Sequence, residues 1–321
     1  MATADGASAA ADAELERREA FLEETESFRT NAFLIINEMV LMSTHPTTIL
    51  VDEVLHSIFF LGKIHTPPFS PEKILSDDEV LSALESQYSR PFALYSSEVP
   101  RRSPFSCLLD MVVHQAGRDN EREIREELRG FVGGLRGGGN KKPLVSKTLC
   151  VSQSRSPGSV RSYGVSMSTD GAVAKKILIG ASCLSMWHEY VAGAVMTFYP
   201  EPNTRRFVRK PYFDGTIRVP DQVRCETFDL YDGGFKPPCK SCGELFGLTT
   251  TETGVFPHGN CSEAESLSRL FGGDGSVRAQ IPPPPGGDRA RAETSVRDAL
   301  RRLVRAFDGF TRWTDQFYIP Q

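Results

Sequence analysis

The residues of this 321-residue chain that are best suited to chemistry lie in the stretch 236–270. Cys239 and Cys242 form a Cys-x-x-Cys pair directly after two prolines, and Cys261 follows His258 by three residues. Thiolates and imidazoles at such spacing are typical zinc ligands, because a Cys-x-x-Cys turn supplies two sulfurs from one loop. The pattern predicts a zinc site formed by the three cysteines, with His258 as a candidate fourth ligand or substrate contact.

Each cysteine motif directly precedes a predicted helix. The Gly-Glu-Leu-Phe-Gly-Leu run after the Cys-x-x-Cys pair indicates a short helix that begins near Cys239. Cys261 precedes an amphipathic segment whose inward positions include Leu267 and Leu270. A helix N-terminus favours a thiolate, because its dipole and free N–H groups stabilise negative charge. Both motifs are therefore expected to present cysteines from helix starts.

This combination resembles the zinc-dependent cytidine and nucleobase deaminases. Residues 238–242 (Pro-Cys-Lys-Ser-Cys) are similar to the Pro-Cys-x-x-Cys motif of that family, and residues 261–263 (Cys-Ser-Glu) to its His-or-Cys-x-Glu motif. The resemblance implies that the three cysteines hold zinc and that a zinc-bound water fills the fourth position. It also implies that Glu263 moves the proton of this water during attack on an amidine carbon. The two motifs stand in the reverse of the usual order.

A structural zinc site is the alternative interpretation. Cys239, Cys242, His258 and Cys261 would then fill all four positions, and Glu263 would be a first-turn acid favoured by the helix dipole. The protein would be a non-enzymatic interaction protein whose N-terminal helices bind a partner. The ligands of the zinc ion distinguish the two interpretations. Three thiolates and a water would support the enzyme, whereas three thiolates and the His258 imidazole would support the structural site.

The composition predicts a globular protein that does not enter a membrane. The chain is 40% apolar, and its net charge of -4 gives no overall attraction for nucleic acid or anionic lipid. The longest apolar run, residues 32–42, is much shorter than the roughly 20 residues that span a bilayer. Seven cysteines, an odd number, and a start without a secretory pattern favour reduced thiols in the cytoplasm or nucleus.

The elements that must position the site begin with a helical N-terminal region. After a floppy tail at residues 1–11, an apolar stripe over residues 12–43 predicts one long helix, and further helices follow to residue 135. These helices are expected to pack on themselves, with a coiled-coil dimer as the alternative. The glycine-rich residues 136–143 are interpreted as a linker rather than a phosphate-binding loop.

From residue 144 to 321 the sequence predicts an α/β domain. Alternating and β-branched runs indicate the strands of a sheet. The deaminase resemblance implies a layered α/β sandwich, with a mixed sheet flanked by helices. The predicted strands are 144–153, 163–168, 176–181, 216–219 and 225–231. Residues 182–199 are expected to pass from a helix into a strand, and Ala292 to Phe307 to form a final helix.

The expected substrate is a nucleobase, free or within a nucleotide or nucleic acid. Arg205, Arg206, Arg209 and Lys210 are the basic residues nearest in sequence that could bind an anionic substrate, although basic side chains most often form a solvated surface.

Overall fold

The computed structural model describes residues 25–137, 142–199 and 208–321. The N-terminal half is helical, and an α/β region with a four-stranded sheet follows it, which confirms the predicted fold class. In the described ranges, no helix is both long enough and apolar enough to cross a membrane.

The described helices of the N-terminal half are α1 (helical over residues 25–42), α2 (Thr48–Ile64), α3 (Pro71–Leu75), α4 (Asp78–Gln87), α5 (Ser89–Leu94), α6 (Pro104–Ala116) and α7 (Glu121–Gly134). Helix α2 is the centre of this half. It is buried along most of its length and packs against α5 and α6. Helices α3 and α6 begin at prolines, which suit a first turn because its N–H groups have no partner inside the helix.

The elements of the α/β half are β1 (Thr148–Ser154), β2 (Ser162–Val165), α8 (Ala172–Ser185), α9 (Glu189–Met196), β3 (Phe213–Asp214), β4 (Val223–Asp229), β5 (Phe235–Lys236), α10 (Lys240–Phe246), α11 (Ser262–Gly273), α12 (Gly275–Arg278), β6 (Gly286–Gly287) and α13 (Arg289–Val304). Four of the strands form a sheet with the order β2-β1-β4-β5. All three pairings in this sheet are antiparallel, where the deaminase resemblance implied a mixed sheet.

The two faces of the sheet cover different parts of the molecule. Leu149 and Val151 of β1 belong to a hydrophobic core that also contains residues of α1, α2 and α6. On the other face, the Ser152 hydroxyl lies 2.8 Å from the Ser266 hydroxyl, so that α11 packs directly on the sheet. A second core, around α9, α10 and α11, includes Cys239 and Cys242. Helix α11 therefore lies between the sheet and this second core.

Three predictions in the α/β half are wrong. Residues 176–181 lie within α8, and residues 182–199 contain the end of α8 and then α9 instead of a strand. The Ile-Leu-Ile run in α8 favours a strand locally, but α8 packs against α9 and α13, and this tertiary burial decides the outcome. Residues 216–219 form no strand.

The strands β1, β2 and β4 and the final helix α13 lie within a few residues of their predicted positions. The predicted long helix is confirmed over its described part, residues 25–42. The predicted tail and residues 12–24 lie outside the described residues, as do residues 138–141 of the glycine-rich stretch and both Arg205 and Arg206.

Candidate metal centre

The structure brings Cys239, Cys242 and Cys261 together. Their sulfur atoms all lie within 4.8 Å of one another, and the Sγ atoms of Cys239 and Cys261 are 3.5 Å apart. Two thiolates bound to one tetrahedral zinc ion at about 2.3 Å would be about 3.8 Å apart. The cluster could therefore bind a metal ion without a large rearrangement.

Two helix starts position these sulfurs. Cys239 is the N-cap residue of α10 and Cys261 is the N-cap residue of α11, and both have an extended backbone. Cys242 lies in the first turn of α10, which ends at Gly247 in the left-handed conformation. The two N-termini predicted from the sequence thus converge on one cluster.

The three sulfurs share negative charge unequally when no metal is bound. Hydrogen bonds from the Cys242 and Cys261 thiols, helped by two backbone N–H groups, lower the pKa of Cys239 to about 2 although burial opposes this. The Cys242 and Cys261 thiols donate these hydrogen bonds to Cys239 and are themselves buried. Both effects raise the pKa of each of the two residues. At neutral pH the metal-free cluster therefore holds one thiolate and two thiols.

Glu263 lies in the first turn of α11 and is only 3% exposed. Its carboxylate accepts a hydrogen bond of 3.4 Å from Ser262 and does not belong to the group of three sulfurs that could hold a metal. Burial raises the pKa of Glu263, the backbone N–H of Glu263 opposes this, and the nearby charge of Cys239 raises the pKa further. The site thus pairs a three-cysteine cluster with a buried acid outside the cluster.

His258 does not join the three-sulfur group. The His258 ring stacks on Phe198 with the ring centroids 4.0 Å apart, and its Nε2 lies 3.2 Å from a carboxylate oxygen of Glu244. Gly259 has a left-handed φ of 87° and allows the chain to turn between His258 and Cys261. This turn directs the imidazole and the Cys261 thiol to different neighbours.

The described basic residues of the 205–210 segment are engaged within the protein. Arg209 forms an ion pair of 2.5 Å with Asp214. The Lys210 ammonium donates hydrogen bonds to the backbone oxygens of Met196 and Tyr199, and burial lowers the pKa of Lys210 to about 8. Lys210 therefore holds the end of α9 in place.

A set of charged residues beside the cluster was not predicted from the sequence. A cavity of about 40 Å³ is lined by Cys261, Glu265, Arg102 and Arg269, among others. It has room for roughly three water molecules but not for a nucleobase. Its charged residues come from distant parts of the chain, so that no local motif could have revealed them.

Comparison of the chain with protein-family models, with curated proteins and with solved structures gives no match. Function must therefore be argued from the residues of the site.

Proposed function

We propose that the protein is a zinc-dependent hydrolase that deaminates a nucleobase, free or within a nucleotide or nucleic acid. Cys239, Cys242 and Cys261 are the proposed zinc ligands, and Glu263 is the proposed catalytic acid and base. The observation that carries the proposal is the position of Glu263, a buried carboxyl group beside a three-thiol cluster to which it does not belong.

The donor set of the cluster suits zinc. Thiolates are soft ligands that favour zinc over magnesium or calcium. Three protein ligands leave one tetrahedral position open, which is typical of catalytic rather than structural zinc sites. When bound, zinc would lower the pKa of a water molecule and so supply a nucleophile at neutral pH.

Glu263 provides the proton transfer that hydrolytic deamination needs. Its carboxylate would accept one proton from the attacking water and pass it to the departing amino group, which leaves as ammonia. The second water proton would end on the neighbouring ring nitrogen as the ring carbon gains its carbonyl oxygen. The pKa of Glu263, raised by burial, brings the carboxyl group closer to neutral pH, where a group can act as both base and acid.

The surroundings of His258 support an open fourth position. A closed structural site would need the imidazole of His258 as a ligand, whereas this ring stacks on Phe198 and faces Glu244. The arrangement of three sulfurs and a nearby acid favours the enzyme over the structural alternative.

The test compares wild type with Glu263→Gln and with Glu252→Gln, an exposed acid of the same segment. Each protein is purified, its zinc content is measured, and it is incubated with nucleobases, nucleosides, nucleotides and single-stranded DNA and RNA. Ammonia release and the product mass report deamination. We expect equal zinc content in all three proteins, activity in wild type and Glu252→Gln, and a loss of about 100-fold or more in Glu263→Gln.

Two results would contradict the proposal. Equal activity in wild type and Glu263→Gln would remove Glu263 from the mechanism. A zinc-loaded wild type that releases no ammonia from any of these substrates would leave only the structural site.

A further inference from the structure

The carboxylate of Glu265 joins three elements around α11. One oxygen accepts a hydrogen bond of 2.8 Å from the backbone N–H of Val165 at the end of β2. The other accepts a hydrogen bond of 2.6 Å from Arg269 and another from the hydroxyl of Ser106 on α6. Glu265 therefore fixes α11 both to the edge of the sheet and to the helical half.

The contact continues into the helical half as a chain of buried and half-buried ion pairs. Arg269 and Arg102 both pair with Asp110 of α6, and Arg102 also pairs at 2.6 Å with Glu53 of α2. Burial alone would raise the pKa of Asp110, but the two arginines outweigh it and lower the pKa to about 2. Asp110 is therefore charged at neutral pH, and the ion pairs connect α11 to α6 and α2.

Charges buried in this way are a costly means of stabilising a protein. Apolar residues of similar size often stabilise as well, because ions lose their hydration when they are buried. In some proteins such a network specifies one arrangement of the elements it joins. Here the ion pairs join α2, α6 and α11, and the Glu265 carboxylate adds β2 through Val165.

Helix α11 needs such a device because its contact with the sheet is made by small residues. Ser266 meets the hydroxyl of Ser152, and the helix backbone rests on Gly164. Small, similar side chains provide few large protrusions that could set the rotation of a helix. Glu265 lies one helical turn after Cys261, on the same face of α11. A rotation of the helix at Glu265 would therefore move the Cys261 sulfur.

We propose that Glu265 is a positioning residue of the metal centre, and that it holds Cys261 in place through Val165, Ser106 and the charges of the helical half. The inference depends on metal binding by the cysteine cluster and not on deamination. It also gives the helical half a role in the site, because three residues of the network around Glu265 belong to it: Glu53 of α2, and Ser106 and Asp110 of α6.

The test uses the full chain and Co²⁺, whose absorption reports thiolate ligands and their geometry. Wild type is compared with Glu265→Gln, which keeps the size of the side chain but removes its charge. Glu293→Gln is the matched control, because Glu293 forms a similar pair with Arg289 one helical turn away on α13. Zinc affinity is measured for each protein by competition with a chromogenic chelator.

We expect Glu265→Gln to bind zinc about tenfold more weakly or worse, in the range found when residues that support metal ligands are changed. Its absorption at saturating Co²⁺ should also shift, whereas Glu293→Gln should match wild type in both measurements. A variant that was merely less stable would give the wild-type spectrum for each bound ion. The spectrum therefore separates positioning from general destabilisation.

Ser106→Ala provides a milder variant should Glu265→Gln fail to fold. It removes the hydrogen bond to Glu265 and the two long ones that the hydroxyl accepts from Arg102 and Arg269, but it leaves every charge in place. We expect a weaker shift in the same direction. Wild-type affinity and spectrum in the variant that folds would overturn the inference. If wild type itself shows no thiolate-to-Co²⁺ absorption, the proposed metal site fails, and that result is distinct from the first.

Discussion

The backbone nitrogen of Ser266 lies directly over Gly164. A Cβ atom on Gly164 would be 2.2 Å from that nitrogen and 2.6 Å from the backbone oxygen of Ser262, far closer than atoms can approach. Helix α11 therefore rests on the backbone of the edge strand β2, and only glycine fits beneath it. Because α11 also carries Cys261 and Glu263, this contact sets the distance of the site from the sheet.

We expect Gly164→Ala to push α11 away from β2. The overpacked contact should cost about 1–3 kcal/mol of unfolding free energy, and the shift of Cys261 should weaken zinc binding. Urea denaturation and a zinc competition assay measure the two effects. Gly272→Ala is the control, because it lies in the same helix with no atom within 4 Å of the added methyl group. It should be neutral or stabilising by up to about 1 kcal/mol, and equal stability of the two variants would contradict the close contact.

The cluster of Cys239, Cys242 and Cys261 was predictable because its signals are local. A Cys-x-x-Cys pair and a cysteine before an amphipathic segment are visible in the sequence, and the helix starts at Cys239 and Cys261 follow from the same residues. The position of His258 was not predictable from spacing. It depends on the turn at Gly259 and on Phe198, which lies far away in the sequence.

The supporting residues could not be predicted for the same physical reason. Glu265 is an ordinary first-turn acid in the sequence, and its partner Ser106 is 159 residues away. For helix α8 a prediction was made and was wrong. Its Ile177, Leu178 and Ile179 suggest a strand, although all three are buried in a helix. Burial in the folded protein decided both cases, and a single sequence carries little information about it.

Zinc binding should release two protons at neutral pH. In the metal-free cluster Cys239 is a thiolate, whereas the pKa values of Cys242 and Cys261 lie well above the usual range, so that both thiols keep their protons. Zinc binds thiolates, so both protons must leave. The apparent affinity should therefore rise about 100-fold for each pH unit while the thiols remain protonated.

Calorimetry in buffers with different ionisation enthalpies counts these protons, because the slope of the observed binding enthalpy against the buffer ionisation enthalpy equals the number of protons released. A slope near two supports one thiolate and two thiols in the metal-free cluster. A slope near zero would show three thiolates before binding. Cys183→Ala, which removes a buried thiol outside the cluster, should leave the slope unchanged.

The stability of the fold should fall as the pH drops below about 6.5 because of His56. Its ring is completely buried and stacks on Tyr318 at 3.7 Å, and burial lowers the pKa of His56 from 6.5 to about 3. Between these values the unfolded chain binds a proton and the folded chain does not, so stability rises with pH in this window. The loss on acidification should be about 1.4 kcal/mol for each pH unit.

His56→Phe keeps the aromatic contact with Tyr318 and removes the titrating group. Urea denaturation is measured at several values between pH 4.5 and 7, a range that begins roughly two units below the ordinary histidine pKa. The free energy of unfolding should depend less steeply on pH in this variant than in wild type. His114→Gln, which changes an exposed histidine of α6, serves as the control. Parallel pH profiles for wild type and His56→Phe would show that His56 is not the source of the dependence.

His258 should contribute to folding and not to metal coordination. Its ring stacks on Phe198 and faces Glu244, outside the three-sulfur group, so His258→Ala should remove an aromatic contact worth about 1 kcal/mol together with the buried area of the ring. The zinc stoichiometry and the Co²⁺ absorption should stay those of wild type, because the three proposed ligands, Cys239, Cys242 and Cys261, are unchanged. Absorption at saturating Co²⁺ and urea denaturation measure the two effects on the same protein. A changed spectrum with a loss of affinity of about 100-fold would instead identify His258 as the fourth ligand and the centre as structural. Loss of a supporting residue weakens metal binding roughly 10- to 100-fold, and loss of a direct ligand should cost at least as much.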